Sequence, residues 1–207
     1  MILLREKRSL SINQKIVNMN LKRMVWLIVF VLTFSQSCYR TSSNTHLQQK
    51  GKAQTAMLQL LQTIDSLGNY GEYDFVIVKE YIAKVEEFGN NYPEDPMSAE
   101  FLYKAALMAM TIAKASENYD ETTLYSQKAI LIFDDIQRIY PEFTGVRNCI
   151  INKGIIYEDI LHDYINAEIF YREFIARYPT DTLAVNLELY LPYLGKSLEE
   201  IISSFEQ

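Results

Sequence analysis

Three Tyr-Pro pairs, ending at Pro93, Pro141 and Pro179, punctuate a chain whose apolar residues follow a helical period from about residue 52 onward. No other feature narrows the fold so much. Proline lacks an amide donor and denies the residue before it the α region, so each pair ends a helix. Between the pairs, Phe101, Ala105, Met108 and Ile112 recur at i, i+4, i+7 and i+11. Ile150, Gly154, Tyr157, Leu161 and Tyr164 do the same, and Ala167, Phe170, Tyr171, Phe174, Ile175 and Tyr178 mark a third face. No useful length alternates with period two. Ser197-Leu-Glu-Glu200 reads as a capping box that opens a short last helix. Seven Gly and five Pro are too few for the tight turns of an all-β chain. The expectation is an all-α fold of antiparallel helix pairs.

The punctuation also repeats. Lys104-Ala105 and Lys153-Gly154 follow the first two prolines by eleven and twelve residues. Ala129 and Ala167 each precede the next proline by twelve, with Phe133 and Tyr171 four residues further along the same helix. A small residue on one helix facing a small residue on the next lets two axes approach closely, and an aromatic one turn on fills the space beside them. Such pairs bury their faces only by stacking on neighbours.

This order of small, aromatic, small, aromatic and proline resembles the tetratricopeptide repeat family, whose repeats run about 34 residues. Asn148 to Pro179 is the best match, with Gly154, Tyr157, Ala167, Tyr171 and Pro179 at family positions and one extra residue assigned to the turn. Ser98 to Pro141 matches through Ala105, Ala129, Phe133 and Pro141 but is about a dozen residues too long for one repeat. Residues 53–93 keep only the Tyr-Pro end and carry Tyr81 where a small residue belongs. The resemblance implies a short stacked-helix solenoid of about three repeats over 53–207, with capping helices after Pro179.

Ahead of this domain the charge changes sign. Six of the 20 basic residues and one of the 26 acidic residues lie in 1–37, so a net charge of −6 becomes −11 without that segment. Lys22-Arg23 precede an eleven-residue apolar run, Met24 to Phe34, then Ser35-Gln-Ser37 and Cys38. Basic, apolar and small segments in that order make a secretory signal peptide over 1–37. A membrane span needs about 20 apolar residues. Met19-Asn-Leu-Lys-Arg would serve as a complete start by itself. The junction resembles a bacterial lipoprotein signal, which implies lipidation of Cys38. Residues 38–52 then form a polar tether.

The acidic remainder argues against a general nucleic-acid binder. There is no G-x-G-x-x-G, P-loop, H-E-x-x-H or G-x-S-x-G. Glu158 and His162 stand four apart, half a metal site at most, so no metal or cofactor is expected. Cys149, beside Ile150-Ile151, reads as a buried small hydrophobe. Family positions for a concave, partner-binding groove fall on Asn148, Ile151, Ile155, Glu158 and Asp159 in the third repeat. In the second they fall on Ala99, Leu102, Ala106, Ala109 and Met110. That groove would be apolar at one end and acidic at the other, suited to a helix or peptide with apolar anchors and a basic residue.

The resemblance thus implies a non-catalytic protein–protein adaptor, lipid-anchored to the outer membrane, facing the periplasm and engaged in envelope assembly or maintenance with envelope protein partners. Two other readings of the same residues are an accessory ligand-recognition subunit of an outer-membrane uptake system and a cell-wall hydrolase.

Overall fold

The computed structural model describes residues 45–68 and 74–205. The signal segment, Cys38 and the first half of the tether lie outside the described residues. The chain divides after Lys52 into two units. Of the first, residues 45–52 are helical, so this half of the expected tether is ordered. Leu47, Gln48, Gln49 and Lys50 are good helix formers and account for it.

The second unit is all-α, with no strand among the described residues. Its helices are α1 (53–68), α2 (Phe75–Asn91), α3 (Ser98–Ala115), α4 (Tyr119–Ile139) and α5 (Val146–Ile155). A π-helical turn, Ile156–Ile160, continues α5. Then come α6 (Tyr164–Arg177), α7 (Thr182–Tyr190), a 3₁₀ turn (Leu191–Tyr193) and α8 (Leu198–Phe205). Side-chain caps set the starts. Asp74 accepts from the Val76 and Ile77 amides, Asn118 from Glu121, Asp163 from Asn166 and Asp181 from Leu183. The expected capping box forms at α8: the Ser197 amide donates to Glu200, and the Glu200 amide donates to Ser197 Oγ.

The three Tyr-Pro ends adopt one conformation. Tyr92, Tyr140 and Tyr178 have φ between −136° and −123° and ψ between 54° and 58°, outside the α region as a following proline requires. Each tyrosine amide donates to the carbonyl four residues back, at Phe88, Ile136 and Phe174. Each tyrosine carbonyl then accepts from the amide three residues on, at Asp95, Phe143 and Asp181, all at 3.0 Å. Phe88 against Tyr92 and Phe174 against Tyr178 repeat a ring contact at 4.9 and 5.1 Å, both tilted by 45°. The sequence punctuation is therefore a structural repeat of the turn itself.

From α2 to α7 each helix packs on its neighbours in the chain. One core joins Met57, Leu61 and Ile64 of α1 to Tyr81, Val85 and Phe88 of α2, the alanine row of α3, and Phe133 and Ile136 of α4. A second joins Ile150, Ala167, Tyr171, Phe174, Ala184 and Leu187 across α5, α6 and α7. Two ion pairs tie α2 to α4, Lys79 to Glu121 at 2.6 Å and Lys128 to Glu86 at 2.7 Å. Hydrogen bonding to Lys79 and Ser116 holds the Glu121 carboxyl below its ordinary range. Among the described residues no helix is long and apolar enough to cross a membrane.

Candidate interaction surface

The residues that carry the small–aromatic order are packed together. Ala105, Ala129, Phe133 and Ala167 are fully buried, and Tyr171 is 3% exposed. A Cβ on Gly154 would stand 2.3 Å from the Tyr171 ring, so the helix must be glycine where that ring crosses it. Tyr157 is half-buried and stacks on Phe170 at 5.5 Å. Pro141 and Pro179 are exposed just beyond the ends of α4 and α6.

The predicted groove positions do not share one open face. On α3, Ala99, Leu102, Ala106 and Ala109 are all under 9% exposed. Leu102 lies where a Cβ on Gly89 of α2 would meet it at 3.3 Å, so this row is the α2 interface rather than a groove. At 100° per residue, Leu102, Ala106 and Ala109 share one side, and Lys104, Leu107 and Thr111 lie opposite. Met110 is half-buried against the main core. The polar-apolar mixture of Lys104, Leu107 and Thr111, against the unbroken apolar row, was the signal for the open side.

That open side meets α1. Leu61, Ile64 and Asp65 of α1 face Lys104, Leu107 and Met108 of α3 across a cleft of about 470 Å³. Leu61 and Ile64 form its buried wall, and Leu107 and Met108 are half-exposed. Lys104 Nζ lies 3.6 Å from Glu100, one turn back. Tyr81, in the same core as Leu61 and Ile64, is fully buried with a hydroxyl that finds no partner among the described residues. Burial, with Glu100 and Asp65 within electrostatic reach, pushes its pKa well above the ordinary tyrosine range.

Toward α5 the surface continues through Tyr103, whose hydroxyl accepts from Asn152 Nδ2 at 3.3 Å. Asn148 is exposed, Ile155 is half-buried, and Ile151 packs against the second core. The predicted acidic end is differently employed. Tyr171 Oη donates to Glu158 at 2.5 Å, and Tyr190 Oη donates to the other carboxylate oxygen. Burial and the adjoining carboxylate raise both tyrosine pKa values, so the protons stay on the phenols. Asp159 is exposed, 3.9 Å from Lys114.

His162 is not joined to Glu158. It sits beyond the π turn at φ 52°, exposed, where the helix has ended. Among the described residues no group of three or more His, Cys, Asp or Glu side chains is placed to hold a metal ion. Cys149 is fully buried, donates to the Gly145 carbonyl at 3.5 Å, and burial pushes its thiol up to about 12. Lys153, 4% exposed, is an unexpected buried cation. Its ammonium bonds Asp134 at 2.6 Å and lies 4.5 Å from the Phe170 ring centroid, two contacts that offset its desolvation.

No protein-family model, curated protein or solved structure matches the chain.

Proposed function

We propose that the protein is a non-catalytic adaptor, a short solenoid of helix pairs similar to tetratricopeptide repeats, that binds a segment of another envelope protein along α1, α3 and α5. A lipid on Cys38 would hold it at the outer membrane on the periplasmic side. The observation that carries this reading is the open α1/α3 cleft, where aliphatic side chains lie in reach of solvent beside charged ones. The recurring Tyr-Pro turn supports the repeat architecture, because a stack of like helix pairs calls for the same turn at the end of each pair.

The cleft volume also falls within the range of small-molecule sites, which favours ligand recognition for an uptake system as the second reading. Recovery of partners from detergent-solubilised envelopes separates the two. An adaptor yields a defined protein set with the native chain. Leu107→Glu, in the cleft, loses that set, while Leu131→Glu, at a residue 65% exposed on α4, keeps it. An identical set from all three chains contradicts the adaptor.

A further inference from the structure

We propose that the α1/α3 cleft selects a partner segment in which a lysine or arginine lies beside a bulky aliphatic side chain, with Asp65 holding the cation and Leu61, Ile64, Leu107 and Met108 enclosing the aliphatic group. This rests on the adaptor reading and specifies what the adaptor recognises.

The charge around the cleft carries the choice. Glu158 spends both oxygens on tyrosine hydroxyls, and Asp159 stands beside Lys114. Asp65 is different: among the described residues no cation pairs with it, and no donor reaches its carboxylate. Lys104 on the opposite wall is matched by Glu100 one turn away, so the two nearly cancel and Asp65 leaves the cleft with about one net negative charge. Asp65 is exposed at the rim of the cleft, next to the buried Leu61 and Ile64, so a cation there pairs with a hydrated carboxylate while its stem meets apolar wall. The buried Tyr81 hydroxyl, without a partner in the core that carries Leu61 and Ile64, is under the influence of the same Asp65 and Glu100 charges.

Size fixes the kind of occupant. A space of about 470 Å³ is about the volume of a single helical turn with its side chains, too little for a whole segment. The cleft therefore takes side chains from a segment lying over it, not the segment's backbone. A lysine stem packs along apolar surface while its ammonium reaches a carboxylate at the rim, which matches an aliphatic wall ending at Asp65.

The test uses the full chain in dodecyl maltoside and two acetylated, amidated 12-residue peptides of leucine and alanine, one with a single central lysine and its twin with glutamate there. The expected result is that the lysine peptide binds about tenfold tighter, a preference lost in Asp65→Asn and reversed in Asp65→Lys. Methyl resonances of Leu61, Ile64, Leu107 and Met108 should shift on binding, and those of Ile169 and Leu189 should not. Equal affinity for the two peptides, or a preference that survives Asp65→Asn, overturns the proposal. So does isopentylamine binding as tightly as the peptide, which would make the occupant a small amine. Peptide shifts confined to Ile151 and Ile155 would overturn the Asp65 site but leave the adaptor standing. Failure of the native chain to recover any defined protein set from envelopes would remove the adaptor itself.

Discussion

The α5/α6 pair and the α1/α2 pair solve one packing problem in opposite ways. In α5/α6 a glycine lies under the ring of Tyr171, whose hydroxyl finds Glu158, and Tyr190 of α7 bonds the same carboxylate. Three elements are locked through one acid. In α1/α2 Tyr81 stands where α6 has Ala167, twelve residues before the closing proline; it too is buried, but among the described residues its hydroxyl is unspent and Asp65 has no cation. Tyr81 shares its core with Leu61 and Ile64, which also wall the α1/α3 cleft. The difference lies in whether a buried tyrosine hydroxyl meets a carboxylate, as Tyr171 does at Glu158 and Tyr81 does not among the described residues.

Several substitutions can break or sharpen this contrast. Gly154→Val should have the largest effect, a loss of about 3 kcal/mol in denaturant unfolding, because the ring it meets is itself buried. Tyr171→Phe should cost about 2 kcal/mol by removing a hydrogen bond to a charged group. Tyr81→Phe should move the other way, gaining about 1 kcal/mol, since the hydroxyl it deletes has no partner among the described residues. Equal signs for the two tyrosines would erase the distinction between the pairs.

The pH dependence is smaller and follows from the same groups. Tyr171, Tyr190 and Tyr81 have folded pKa values above that of the unfolded chain. Their contribution is complete below about pH 10, where unfolded tyrosine begins to ionise, and is lost as pH rises toward the folded values. Stability should therefore fall above about pH 10, and less steeply in Tyr171→Phe. In acid the sign reverses. Asp163, lowered by its bonds to Asn166, and Glu121, lowered by Lys79 and Ser116, stabilise above the unfolded carboxyl pKa and lose that effect as pH falls through their folded values. Asp163→Asn should flatten the thermal-stability profile below about pH 4.

Much of the fold was legible because its signals are local. Proline, a preceding tyrosine and an Asx or Ser cap act within one turn, so Tyr92, Tyr140 and Tyr178 could be read from the chain alone. The buried positions of Ala105, Ala129, Phe133, Ala167 and Tyr171 followed from period and volume. The binding face was less legible. Leu102, Ala106 and Ala109 fit a family register, yet Gly89 draws α2 onto that side, and no feature of α3 by itself says which neighbour covers it. The repeat register puts the extra residue near Glu158 in the turn, whereas α5 runs into a π turn at Ile156–Ile160. A π turn inserts one residue into a helix without ending it. That change of phase takes Glu158 toward Tyr171 and Tyr190, which only the packed structure brings together.

Photo-crosslinking in intact cells tests the central claim most directly. A photoreactive residue is placed in turn at Leu107 and Thr111 beside the cleft and at Leu131 and Gln127 on α4. The account predicts the same discrete protein adducts from Leu107 and Thr111, none of them from Leu131 or Gln127, and their loss on adding Asp65→Lys. Adducts that are equal at all four positions, or indifferent to Asp65→Lys, would contradict it.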